Sequence, residues 1–211
     1  WQIGEGAGAL VLRRADDVQG QPLYATIESV SVLPGADAEA LVQSIETALT
    51  AAGITPPDIG YVEASASGIA AQDQAEIAGL NRVYVGASAI PQTALGSVKA
   101  NIGHTGAASG MASVIKAALC LGRRFIAATP NWSGPKTPSA WEHSAFYIAE
   151  QSRTWFTPRG KTRYAAVSGL GEDNTCAHIV LSDSGVKASA QSGSAYLKRK
   201  SLHLFPFDAD N

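Results

Sequence analysis

The sequence predicts an α/β fold in a single domain. Short apolar runs of strand length alternate with longer segments in which apolar residues recur every three or four positions, and Gly or Pro separates them. Strands that alternate with helices are typical of layered α/β proteins. The chain of 211 residues has the length of one domain, and its hydrophobic content of 45% is enough for a substantial core.

The first part of the chain is predicted to hold three strands and one helix. Apolar or alternating runs predict strands over residues 9–14, 24–33 and 59–64. A helix is predicted over 37–52, where apolar residues share one face, namely Leu41, Val42, Ile45 and Leu49. Gly53 supplies the stop signal for this helix.

The middle of the chain is predicted to alternate between helices and strands. Helical spacing covers residues 71–82, with Ile77 and Leu80 facing inward, and 106–121, a segment rich in Ala, Ser and Gly. Short apolar runs predict strands over 83–87 and 95–102. A helix so rich in small residues can approach its neighbours closely, so we expect it to be covered on most sides.

The last part is predicted to hold three strands and a tail. The strands cover residues 146–149, 164–168 and 177–181, and the turn-rich segment 169–174 joins the last two. Residues 184–211 are predicted to be a linker followed by a docking tail. The beginning of this tail is rich in Ser, Ala and Gly, and its end is basic and then aromatic.

Composition excludes several classes of function. A net charge of −2 gives no electrostatic reason to bind nucleic acid or an anionic membrane, and no apolar run reaches the ~20 residues of a membrane span. The two cysteines, Cys120 and Cys176, predict neither a disulfide framework nor a metal site, and they fit a reducing cytoplasmic setting. Charged residues make up only 16%, against roughly 25% in average domains, which suggests a surface partly covered by a neighbour. The opening at Trp1, without Met or a signal pattern, predicts a piece of a longer protein.

Three polar segments carry the candidate chemistry, at residues 62–68, 96–106 and 167–178. The second segment places Lys99 five residues before His104, which lies at the start of the small-residue helix. The helix dipole and the lysine both disfavour the charged imidazolium. A neutral imidazole is a good donor to a thioester carbonyl or an enolate oxygen. The alternative is a histidine that only forms hydrogen bonds within a packed turn.

These three segments, in this order, resemble the signatures of β-ketoacyl synthases of the thiolase superfamily. The resemblance covers residues 1–183 and also includes the opening segment 4–12. It implies the C-terminal half of a thiolase-like αβαβα layered sandwich, completed by the chain's own N-terminal ketosynthase half. In that family a cysteine nucleophile, located in the other half, holds the growing acyl chain. Two histidines assist decarboxylation of an extender on an acyl carrier protein.

The resemblance also implies roles for individual residues. His104 corresponds to the second family histidine, and His104 and Lys99 are retained catalytic positions of the family. Asn101, between them, is expected to bind substrate, as is the altered turn at Gly171, Glu172 and Asp173. Ser65 stands where the family has its first histidine, and a serine hydroxyl cannot act as the same acid or base at neutral pH. After Gly171, the family's glycine-rich turn with its Phe gate is replaced by Glu172 and Asp173, which puts charge where an apolar gate is expected.

The departures favour a chain-length-factor subunit or domain that forms a dimer with an active ketosynthase and shapes its acyl tunnel. The expected partners are that ketosynthase and an acyl carrier protein, whose phosphopantetheine is the only cofactor implied, because none is expected on this chain. One alternative is a competent condensing or decarboxylating enzyme that uses His104 with a nucleophile from the missing half. Another is a non-catalytic carrier-protein docking scaffold. The adjacent acids Glu172 and Asp173 are expected to lie in a solvated or interface turn rather than to form a catalytic pair.

Overall fold

The computed structural model describes residues 2–18, 23–85, 92–142 and 144–183. Within these residues, eight strands and four α-helices form a mixed α/β fold. The strands are β1 (Thr26–Pro34), β2 (Ile59–Glu63), β3 (Thr93–Gly96), β4 (Phe125–Ile126), β5 (Phe146–Ile148), β6 (Arg153–Thr154), β7 (Tyr164–Leu170) and β8 (Thr175–Ser182). The helices are α1 (Ala38–Ala52), α2 (Ala70–Val83), α3 (Lys99–Ile102) and α4 (Ser109–Arg123).

Six strands form one sheet in the order β1-β8-β7-β2-β3-β5, and β4 pairs with β6 separately. Strands β7, β2, β3 and β5 are parallel, whereas β8 is antiparallel to both of its neighbours. The carboxyl ends of the four parallel strands therefore meet at one edge of the sheet. Loops at that edge of an open α/β sheet commonly form binding sites.

Helices cover the two faces of the sheet unequally. On one face, α1 packs on β1 and β8 and also against α2, and the buried residues of the two helices include Leu41, Ile45 and Leu80. On the other face, α4 packs mainly on β7, with Ala117 and Leu121 buried against Val167. The predicted face of α1 is confirmed, because all four of its apolar residues are buried and Gly53 ends the helix at φ 66°.

The part of this second face that lies beyond α4 is apolar and exposed. Val30 is 56% and Val32 is 62% exposed, although both lie in the edge strand β1. Their neighbours Ser29 and Ser31 are buried and bonded towards α1, with Ser29 donating to the carbonyl of Ala48 at 2.7 Å. The usual strand pattern of apolar residues inside is thus reversed in β1. A face of this kind usually marks a protein contact.

Two predicted strands differ from the structure. Residues 9–14 form no strand in the described part of the chain, and Val11 is 89% exposed. A strand needs a pairing partner, and none of the described strands pairs with this segment. The predicted strand over 95–102 ends at Gly96, because Ser97 begins the helical turn of α3: its carbonyl accepts the Ala100 N–H at 3.1 Å.

Other predictions fall partly outside the described residues. In the predicted strand over 83–87, Val83 ends α2 and Tyr84 caps it, and residues 86 and 87 lie outside the described part of the chain. The predicted linker and docking tail at 184–211 also lies outside it. The domain boundary at 183 stays a prediction.

Candidate functional site

The three polar segments come together where parallel strands end. Ser65 follows β2, the segment from Lys99 to His104 follows β3, and Glu172 lies in the turn after β7. Because β2 lies between β3 and β7 in the sheet, the Ser65 loop is the centre of this edge. The site is therefore formed by loops from three adjacent strands.

The loop that carries Ser65 is held by a buried carboxylate. Glu76 of α2 is 4% exposed, and its two oxygens accept the N–H groups of Ser65 at 2.7 Å and of Ala66 at 2.8 Å. Ala66 has a φ of 43°, a strained value for a residue with a side chain. The ammonium group of Lys99 donates to the carbonyl oxygen of Ser65. The backbone around Ser65 is thus fixed from both sides.

A second carboxylate holds the following residues. Asp73, in the first turn of α2, accepts the Gly68 N–H at 3.1 Å and the Ser67 hydroxyl at 3.2 Å. The Ser67 hydroxyl oxygen in turn accepts the Ile69 N–H at 3.1 Å. Asp73 and Glu76 therefore preserve a defined loop in which no imidazole is present.

Burial changes the proton affinity of the groups in this loop. It raises the pKa of Glu76 to about 7, although its two N–H donors and Lys99 act in the opposite direction. Burial also lowers the pKa of Lys99, whereas Glu76, Glu63 and Asp73 raise it. The loop therefore couples an ammonium group and a carboxyl group that both lie in a poorly hydrated environment.

The backbone of His104 is held by the N-terminal segment. The His104 N–H donates to the Gln2 carbonyl at 2.8 Å, and the Gly4 N–H donates to the His104 carbonyl at 3.0 Å. The close approach depends on glycine, because Gly103 has a φ of 79° and a Cβ there would lie 2.9 Å from the Gly4 nitrogen. A Cβ on Gly4 would overlap the Ile102 carbonyl oxygen.

The His104 side chain has a defined tautomer. Its Nδ1 accepts the Gly106 N–H at 3.1 Å, and the Ser109 hydroxyl oxygen lies 3.4 Å away. In the neutral ring the proton is therefore on Nε2. Burial and then the charge of Lys99 lower the pKa of His104, whereas Glu172 raises it. A pKa below the ordinary value of 6.5 leaves His104 neutral at pH 7, and the ring's one N–H is then on Nε2.

The turn between β7 and β8 is closed by its own bonds. The Gly171 N–H donates to the Thr175 carbonyl at 2.8 Å, and the Thr175 hydroxyl donates to Asp173 at 2.7 Å. Asn174 adopts a left-handed φ of 59°. Glu172 is exposed, and its charge acts on His104. Asp173 thus serves the turn itself, while Glu172 contributes negative charge to the site.

Asn101 and one buried cluster complete the edge. The Asn101 side chain donates to the Ala128 carbonyl at 3.2 Å, and its substrate-binding role stays a prediction. Sequence reasoning did not assign a role to Glu63 or Lys116, whose charged groups lie 3.1 Å apart beneath the site. The available signal was a charged residue inside an apolar strand and another inside the apolar stripe of a helix.

No group of three or more His, Cys, Asp or Glu side chains in the described ranges could hold a metal ion. In the same ranges, none of the helices is both long and apolar enough to cross a membrane.

Comparison with known proteins links this arrangement to one family. The family model "Beta-ketoacyl synthase, C-terminal domain" matches residues 26–133. Polyketide synthase ThaQ of Burkholderia thailandensis is 36% identical over 196 residues, which is 85% of this chain and 9% of that protein. A polyunsaturated fatty acid synthase polypeptide of Thraustochytrium sp. is 35% identical over 199 residues, which is 86% of this chain and 9% of that protein. The chain therefore spans under a tenth of the length of these relatives.

Solved structures give the same result. The ketosynthase from module 6 of the bacillaene synthase of Bacillus subtilis matches with a TM-score of 0.74 and 31% identity, over 81% of this chain and 32% of that chain. The PfaC keto synthase-chain length factor matches with a TM-score of 0.58 and 36% identity, over 82% of this chain and 14% of that chain. Both similarities extend well beyond the three polar segments.

Proposed function

Because this chain belongs to the β-ketoacyl synthase family, we propose that it is the C-terminal half of a chain-length-factor domain in a polyketide or polyunsaturated fatty acid synthase. The expected thiolase-like α/β fold is confirmed by its similarity to ketosynthase structures. In the proposed role, the domain forms a dimer with an active ketosynthase and shapes the acyl tunnel of that partner. It does not carry out the condensation itself.

The observation that carries the proposal is Ser65 in an intact loop. Glu76, Asp73 and Lys99 hold the backbone as a catalytic loop would need, yet the side chain at the family's histidine position is a hydroxyl. General acid–base catalysis by a well-placed histidine is worth roughly 10²–10⁴-fold in rate, and serine cannot supply it at neutral pH. A loop that keeps its backbone conformation but lacks the reactive imidazole is more typical of a structural partner than of an enzyme.

Glu172 supports the same role. It takes the position of the family's apolar gate residue, and it lies close enough to His104 to affect its proton affinity. A carboxylate beside an acyl chain would have to be desolvated, which is costly. The turn after β7 is therefore poorly suited to act as a gate for an acyl chain bound in this domain.

The proposed partners follow from the family and from the exposed apolar face. Val30 and Val32 on β1, together with Leu10 and Val11, are expected to contact the chain's own N-terminal ketosynthase half. The other partners are the active ketosynthase and an acyl carrier protein that bears phosphopantetheine. We propose a cytoplasmic setting and no cofactor on this chain.

The test of the chain-length role is a substitution in the turn after β7. Glu172→Phe, made in the complete synthase, places an apolar ring at the proposed tunnel wall. We expect the product distribution to move towards shorter chains, while total product stays within about twofold, a change below ~0.5 kcal/mol in barrier. Glu46→Phe on the exposed face of α1 is the matched control and should change neither quantity. An unchanged product distribution in Glu172→Phe would remove the chain-length role and favour the docking scaffold.

One observation favours a second candidate, a decarboxylase. The Nε2–H of neutral His104 is suited to polarise a thioester carbonyl, and this does not require the missing first histidine. On this reading the complete domain releases CO₂ from a malonyl thioester, and His104→Ala slows the release by at least ~10²-fold. On the chain-length reading, the wild-type domain and His104→Ala release CO₂ equally slowly.

A further inference from the structure

A buried group of charged and polar residues lies directly beneath the site. Glu63, the last residue of β2, is fully buried, and its Oε2 lies 3.1 Å from the Lys116 ammonium of α4. The Tyr61 hydroxyl donates to the same oxygen. The proposed function uses neither Glu63 nor Lys116.

An ion pair at this depth is an unusual choice for stability alone. Removing two charges from water costs several kcal/mol for each ion, and apolar residues of similar size are often equally stable or more so. The pair joins a central strand to the helix that follows His104, where an apolar contact would also fit. A role that requires the carboxylate oxygens would explain it.

The second carboxylate oxygen has such a role. Glu63 Oε1 accepts the N–H of Val98, the residue that precedes α3. Helix α3 is a single turn of four residues, Lys99–Ile102, and a single turn is too short to fix its own conformation. Its orientation must therefore come from contacts outside the helix. Among the side-chain hydrogen bonds that the described residues show for residues 98–102, the Val98 N–H bond to Glu63 is buried, those of Lys99 are partly buried and that of Asn101 is exposed.

This turn connects two residues of the site, Lys99 and His104. Lys99, its first residue, reaches back to the Ser65 carbonyl, and Gly103 and His104 follow its last residue directly. A rotation of α3 would therefore displace the Lys99 ammonium and the His104 imidazole together. The negative charge of Glu63 also favours the protonated form of Lys99, because it raises the pKa of that lysine.

We propose that Glu63 is a positioning residue: its carboxylate orients the segment from Lys99 to His104 through the Val98 N–H, and Lys116 balances the charge. This inference goes beyond the proposed function, because it holds whether the site catalyses or only shapes a partner's tunnel. It requires an acceptor oxygen at residue 63 and does not require the ion pair.

Two double variants of the complete domain separate these requirements. Glu63→Leu with Lys116→Met removes both charges and the acceptor. Glu63→Gln with Lys116→Met removes both charges but keeps an oxygen for Val98. Amide hydrogen exchange of the peptide covering residues 97–104, followed by mass spectrometry, reports the order of the segment, and urea unfolding reports global stability.

We expect the Leu/Met protein to exchange this peptide at least about tenfold faster than the Gln/Met protein, which should match the wild type, with similar global stability in both. Equal protection of the peptide in the two double variants would overturn the proposal, because the pair would then be only structural. If the Leu/Met protein does not fold, the same peptide is measured in the single variant Lys116→Met, which removes the ion pair and keeps the Glu63 side chain. Protection retained in that variant supports positioning by Glu63, and protection lost in a folded protein contradicts it. Product length enters none of these readouts, so the chain-length role can fail independently.

Discussion

Replacing Glu76 by Gln tests how the Ser65 loop is held. The Glu76 carboxylate is buried and accepts two backbone N–H groups of that loop, from Ser65 and Ala66. Burial raises its pKa to about 7 from an ordinary value of 4.5. Gln has nearly the same shape and does not ionise, so the substitution removes the titration, and its amide keeps one of the two acceptor oxygens.

The pKa of Glu76 fixes the sign and size of the effect. Between about pH 4.5 and 7 the folded protein keeps a proton that the unfolded chain has released. The stability from this group is therefore fully present below pH 4.5 and is lost as the pH rises through 7. The difference between 4.5 and about 7 corresponds to about 3 kcal/mol, at about 1.4 kcal/mol for each pH unit.

The Glu76→Gln protein has no such carboxyl group, so this loss of stability occurs only in the wild type. The free energy of unfolding of the variant, relative to that of wild type, should therefore rise by about 3 kcal/mol between pH 4.5 and 8. Urea unfolding of the complete domain at intervals across that range measures the difference. Glu46→Gln, at an exposed position of α1, is the matched control and should give a curve parallel to wild type. If the Glu76→Gln curve is also parallel to wild type, or if its stability relative to wild type falls as the pH rises, Glu76 does not have a raised pKa in the folded protein.

Two further predictions concern a buried histidine and a glycine. Burial lowers the pKa of His178 to about 3. Below about pH 6.5 the unfolded chain therefore binds a proton that the folded protein excludes, so the free energy of unfolding decreases by about 1.4 kcal/mol for each pH unit of acidification. His178→Asn should flatten this slope in unfolding experiments between pH 4 and 6, and an unchanged slope would exclude His178 as its source. Gly103→Ala puts a Cβ 2.9 Å from the Gly4 nitrogen at a φ of 79°, and should cost about 1–3 kcal/mol and speed proteolysis of the N-terminal segment. Gly110→Ala, where a Cβ meets nothing within 4 Å, should instead be neutral or stabilising by up to about 1 kcal/mol, and equal effects of the two would contradict this account.

The elements that the sequence predicted well are those with a local cause. Helix α1 follows from apolar spacing, from the Asp37 side chain that accepts the Ala40 N–H, and from Gly53 as its stop. The failures have distant causes. The residues over 95–102 have the local pattern of a strand. In the structure the Val98 N–H donates to the Glu63 carboxylate instead of to a neighbouring strand, and the chain continues into α3.

The position of the candidate site was predictable from the sequence, but the side-chain contacts that hold its loops were not. The resemblance named the three loops, and parallel strands bring loops of this kind to one edge. The sequence could not reveal that Glu63 and Lys116 meet, because they lie far apart along the chain and pair only in the folded protein. It also could not show that Asn101 donates to the Ala128 carbonyl.

In the proposed role, this chain supports a synthase without supplying a catalytic imidazole. The most direct measurement is the total product formed by the complete synthase when His104 is replaced by Ala. A non-catalytic role predicts flux within about twofold of wild type, because the partner ketosynthase carries the condensation. A fall in flux of ~10²-fold or more, in a synthase that still assembles, would show that His104 takes part in the chemistry and would contradict this account.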